Sequence, residues 1–222
     1  MSELRLFAAN DHLAPTAGGS WLAARGLKNG SLYTIPWIWA LTLEGKVYGM
    51  QAGSVTTPIA GHAAIDADQP EGAVRVPAGY AAIPLSIQMT METGATTLAQ
   101  GGMMCAVSNI DVGAGTSTAF TPLNMNMIST TASSCTAAHT YTGNGTDPLT
   151  VGNFLEMKRV SGVFDSDAAT TGLVFPSLDW SVANGFMPIV ANTGSILAYG
   201  EAAANTLFLN IVWAEMLQAD IA

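Results

Sequence analysis

Ile83-Pro84-Leu85-Ser86-Ile87-Gln88-Met89-Thr90-Met91-Glu92 carries an apolar residue at every odd position, five times running. Successive side chains of a strand point to opposite faces. The stretch therefore predicts a strand with Ile83, Leu85, Ile87, Met89 and Met91 in a core and Ser86, Gln88 and Thr90 outside it. A helix would scatter the same five residues around its circumference. Pro84 falls on the polar side. Its missing N–H costs least where a strand begins or lies at a sheet edge.

A second stretch answers the first near the C-terminus. Leu207, Leu209, Ile211 and Trp213 alternate with Phe208, Asn210, Val212 and Ala214. Both faces are largely apolar, so this strand is expected deeper in its sheet. Further strands are expected at Leu32 to Leu43 and Lys46 to Val55, joined by a Glu44-Gly45 hairpin turn. Trp37 and Trp39 would share a face of the first, as core residues or as a stacking platform. Leu98 to Gly102, Met103 to Ile110, Phe120 to Ile128, Phe154 to Phe164, Leu173 to Phe175, Phe186 to Val190 and Gly194 to Tyr199 complete the set. Residues 60 to 79 and Ser129 to Pro148 read as loops; one as long as the second is usually functional or interfacial. No amphipathic helix of about ten residues or more and no βαβ alternation is present. The expected fold is all-β, an antiparallel sandwich or barrel.

Composition narrows the function. The chain has 222 residues, of which 49% are hydrophobic and only 10% charged. An average soluble domain is about 25% charged. Low charge without low hydrophobicity is the opposite of a disordered composition. It suits a subunit packed against others, or one working outside a cell. The net charge is −9 and only seven residues are Lys or Arg, with Lys158-Arg159 their sole adjacent pair. Binding to nucleic acid or to an anionic membrane is therefore disfavoured. The N-terminus, MSELRLFAANDH, is charged at once and has no signal-peptide core, so synthesis in a cytoplasm is expected. Leu32 to Leu43, with its proline, is too short to span a bilayer.

Residues 1–31 read as an N-terminal arm and 32–222 as the sandwich domain. In the arm, Leu4, Leu6, Phe7, Trp21 and Leu22 are separated by turn residues. Such anchors suit a segment that docks on its own domain or on a neighbour; the plainer reading is a frayed terminus.

Chemistry is weakly signalled. His12, His62 and His139 have no metal-ligand spacing, and no GxSxG elbow or phosphate-cradling loop exists. Cys135 and His139 lie four apart without a helical pattern to bring them together. Asp66, Asp68 and Glu71 lack the spacing of a calcium loop and read as a solvated turn. Glu92, Glu156, Asp179 and Glu215 could supply a glycosidase pair only if two converged to about 5–9.5 Å. Glu92 and Glu215 more simply mark strand ends. Cys105 and Cys135 could form a disulfide, but two free buried thiols fit an unpatterned pair better. No catalytic, cofactor or metal residue is assigned.

The whole pattern resembles a known class. Val76-Pro77-Ala78-Gly79 leads into Ile83-Pro84-Leu85-Ser86-Ile87. A Thr/Ala/Gly-rich region without Asp, Glu, Lys or Arg runs between Asp111 and Asp147. Asn210-Ile211-Val212-Trp213-Ala214-Glu215 closes the chain. These features resemble small virion structural proteins of tailed bacteriophages, such as jelly-roll decoration or cement subunits of the capsid exterior. The resemblance implies a non-enzymatic jelly-roll subunit without a cofactor. It would be homotrimeric, on the outside of a virion, clamping neighbouring copies of a major capsid protein. A carbohydrate-binding sandwich module is the competing reading, supported by the two indoles; a hydrolase with a dispersed site is a third.

Overall fold

The structure, a computed structural model, describes residues 36–93, 98–110, 115–143, 149–150, 152–163, 177–184, 187–201 and 206–221. In chain order its elements are helix α1 (Trp37–Leu43) and strands β1 (Val47–Ala52), β2 (Ile59–Ala60), β3 (Gly72–Arg75), β4 (Tyr80–Thr93) and β5 (Leu98–Ala106). Next come β6 (Thr116–Phe120), β7 (Leu123–Asn124), β8 (Thr136–Thr142), β9 (Phe154–Val163) and β10 (Ser177–Ser181). The last strands are β11 (Val190–Ala191), β12 (Ser195–Glu201) and β13 (Thr206–Leu217). They form two antiparallel sheets packed as a sandwich. One runs β10-β4-β13-β1-β7, with β11 also on β4 and β2 on β13; the other runs β6-β8-β3-β12-β5-β9.

The two stretches that organise the sequence lie side by side. β4 and β13 pair along almost their whole length, from Thr93 opposite Thr206 to Tyr80 opposite Leu217. β13 is flanked by β4 and β1; Leu207, Leu209, Ile211 and Trp213 enter the intersheet core, and Val212 and Ala214 pack in the outer cluster with α1. All five odd positions of β4 are buried, and Gln88, Thr90 and Glu92 are exposed. The odd positions do not share one face. Ser86 pairs with Val212 but Pro84 pairs with Trp213, so Leu85 is an extra residue in β4. Such a bulge moves every later side chain to the other face. Ile87, Met89 and Met91 enter the core between the sheets. Ile83 and Leu85 instead pack with Leu41, Val47 and Ala214 on the outer face, beneath α1.

Pro84 is not at an edge or a strand start, as its sequence position suggested. It is buried in a central strand. Its cost is avoided by a gap: on that side β10 pairs down to Ser86 and β11 begins at Ala82. No neighbour there asks Pro84 for an N–H.

The intersheet core joins Met50, Ile87, Met89, Leu209, Ile211 and Trp213 of the first sheet to Val74, Met103, Ile196 and Ala198 of the second. Two glycines let the sheets approach. A Cβ on Gly72 would stand 2.3 Å from Leu209 Cδ2, and one on Gly101 2.6 Å from Met89 Cε. A separate cluster of Ala73, Met104, Tyr141, Leu197 and Tyr199 covers the outer face of the second sheet, with Ile65 and Leu149 over it.

The expected strand at Leu32 to Leu43 is corrected where it is described: residues 37–43 are helix. Pro36 has φ −52° and its carbonyl accepts from Trp39 and Ala40, which starts the turn. Glu44-Gly45 is a turn, but a helix stop rather than a hairpin. Gly45 takes φ +69°, its N–H donates to Thr42 O, and Lys46 N donates to Leu41 O. Trp37 and Trp39 consequently share no strand face and are not core; both are exposed. Two expected loops also contain strands. β3 lies within 60–79 and β8 within 129–148, and β10 lies where no strand was expected. β8 is built largely from Ala and Thr, which carry little alternation to read, whereas β10 does alternate, with Leu178 and Trp180 buried, but over only five residues.

Candidate functional site

Thr121-Pro122-Leu123-Asn124-Met125-Asn126-Met127-Ile128 alternates like a strand, yet strand pairing stops after Asn124. The two asparagines explain why. Asn124 Oδ1 accepts from Asn126 N at 2.9 Å, and Asn126 Oδ1 accepts from Ile128 N at 3.2 Å. Each side chain captures the amide two residues on and curls the chain. The apolar residues between them are thrown outward. Met127 is 80% exposed and Ile128 93%, with Leu123 and Met125 also exposed.

This knob is held firmly at its base. Asn126 Nδ2 donates to Leu43 O at 3.1 Å and Asn124 Nδ2 to Gly45 O at 2.8 Å, tying it to the end of α1. Trp39 and Leu43, four apart on one helix face, are exposed beside that junction. Downstream, Ser133 to Cys135 is bound by Glu215, a carboxylate only 6% exposed. Glu215 Oε2 accepts from Ser134 N at 2.8 Å. Its Oε1 accepts from Trp213 Nε1 at 2.8 Å, from Cys135 N at 3.4 Å and from the Ser133 hydroxyl. Tyr48 donates its phenol to Ala132 O at 3.2 Å, and burial and the nearby carboxylate raise its pKa. Glu215 is thus not a solvent-facing strand end but a structural anchor. Sequence reading missed it because its donors come from a loop some eighty residues away.

The opposite lateral edge carries a groove. β10 and β11 form that edge of the first sheet, and β9 packs beside β10 as the matching edge of the second. Where β5 ends and β9 begins, a cleft of about 500 Å³ is lined by Val107, Leu155, Pro188, Ile189 and neighbours, none of them charged. Val107, Leu155 and Ile189 are all exposed. The sequence hint was faint: single apolar residues beside glycine and asparagine.

Glu92 and Glu215 do not converge. Glu215 lies opposite Ala82, ten residues along β4 from Glu92, about 33 Å in a strand. Glu156 is paired with Arg159 at 2.7 Å, which lowers its pKa, and Asp179 is exposed on β10. Cys135 lies just before β8 and His139 within it, and His139 Nδ1 meets Thr140 Oγ1 at 2.9 Å. Cys105 and Cys135 are free and buried. Burial pushes the Cys105 thiol up to about 12 and raises that of Cys135, where Glu215 adds to the effect. Neither is a nucleophile at neutral pH. Among the described residues no group of three or more His, Cys, Asp or Glu could hold a metal ion. No described helix is long and apolar enough to cross a membrane. His62 and Glu71 do meet: Glu71, fully buried, accepts from His62 N at 2.8 Å and lies 3.1 Å from its Nδ1. The arm anchors Leu4, Leu6, Phe7, Trp21 and Leu22 lie outside the described residues.

No family model and no curated protein matches the chain.

Proposed function

We propose that this chain is a non-enzymatic assembly subunit, a capsid decoration or cement protein that packs against copies of itself and of a major capsid protein. The observation that carries the reading is the knob at Met127 and Ile128, two large apolar side chains held in water by a built turn. A soluble monomer gains nothing by fixing such residues outward; exposed apolar patches of this kind mark interaction sites. The surroundings agree. The knob's own segment carries no charge, since none lies between Asp111 and Asp147, and the charges at its base, Glu44 and Lys46, pair with each other at 3.3 Å. Assignment to a virion rests on the sequence resemblance, and the jelly-roll form of the sandwich is part of the same proposal. Immunogold electron microscopy of particles from the source, with antibody against this chain, tests it. Label on head shells is expected; particles without label would overturn it.

A further inference from the structure

The knob and the groove lie on opposite lateral edges of one sandwich. β7 ends the first sheet on the knob's side, and β11, β10 and β9 bound the groove's side. We propose that the two are halves of one contact: the Met127-Ile128 knob of one copy seats in the Val107-Leu155-Ile189 groove of the next. This deepens the assembly reading above, on which it rests, by naming the surfaces through which copies join.

Three observations commit the groove to a second copy. The shapes correspond, since a turn with two protruding side chains faces a concave cleft of about 500 Å³. The chemistry corresponds, since neither the described groove lining nor the 121–135 segment contains a charged residue, and joining these surfaces buries no unpaired charge from either. The placement corresponds, since two different patches on opposite edges give a head-to-tail contact that repeats through successive copies. A two-fold dimer that seats each knob in the other copy's groove would need knob and groove within one patch, and here they lie on opposite edges. Two outward knobs meeting at a two-fold axis would leave both grooves open.

The test uses the full chain with single cysteines. Ile128→Cys protein and Val107→Cys protein are mixed and mildly oxidised. Both proteins also carry Cys105→Ala, because that native thiol lines the groove, and the other native thiol, Cys135, is buried. A cross-linked dimer is expected in the mixture and not in either protein alone. Ile128→Asp should reduce the native assembly to single chains of 22.9 kDa with an unchanged circular dichroism spectrum. Dimers from Ile128→Cys alone, or no cross-link in the mixture, would overturn the contact. Head labelling without the mixed cross-link removes this inference and spares the decoration reading. The cross-link without head labelling does the reverse.

Discussion

The indole N–H of Trp213 donates to the carboxylate of Glu215, two residues on along β13, at 2.8 Å. Both point between the sheets, and the same carboxylate gathers the Ser133 hydroxyl and the Ser134 amide. Removing it strands several buried donors at once. Hydrogen bonds to a charged group contribute about 1.5–3 kcal/mol each, and unmet partners add their own penalty. Glu215→Ala should therefore cost about 3 kcal/mol or more in urea unfolding, and Glu215→Gln less, since an amide oxygen can still accept.

Ile87 faces the intersheet core and Gln88, beside it, faces water. Burying one large apolar side chain is worth about 1.5–3 kcal/mol. Ile87→Asp should abolish soluble expression, and Gln88→Lys, which would face Asp179 on β10, should leave the melting temperature almost unchanged. Equal tolerance of both would show the register of β4 to be wrong.

Gly72→Ala should destabilise by about 1–3 kcal/mol in the same assay, because the new methyl collides with Leu209. A neutral result would place the sheets farther apart than described.

The sheet was legible where alternation is carried by large side chains. Ile83 to Glu92 and Leu207 to Ala214 announced the two central strands. The bulge at Leu85 was not legible. An extra residue leaves the odd-even pattern intact when both faces of the sheet are covered, so Ile83 and Ile87 look equivalent in sequence while facing opposite ways. Trp37 to Leu43 misled because a helix of about two turns is too short to show its period. The knob misled for a different reason. Its methionines alternate with asparagines, and the asparagine side chains, not the alternation, decide the backbone. Glu215 and Glu71 were hidden because their partners are set by tertiary contact.

His62 is raised above its usual pKa, chiefly by its hydrogen bond to Glu71, with burial opposing and Asp66 helping. The other Glu71 oxygen, Oε2, is buried without a partner among the described residues. A raised histidine contributes stability in full below its unfolded value of about 6.5, and that contribution is lost as pH rises through the folded value. The gap in melting temperature between the native chain and His62→Gln should be wider at pH 5.5 than at pH 8.5. A gap that widens toward alkaline pH would contradict the assignment. His139, which burial lowers, is present in both proteins and cancels.

The most direct measurement of the central claim is the mass of the purified full chain in solution by light scattering. The account predicts a discrete multiple of 22.9 kDa at micromolar concentration. A species that stays at 22.9 kDa up to the highest soluble concentration would contradict it.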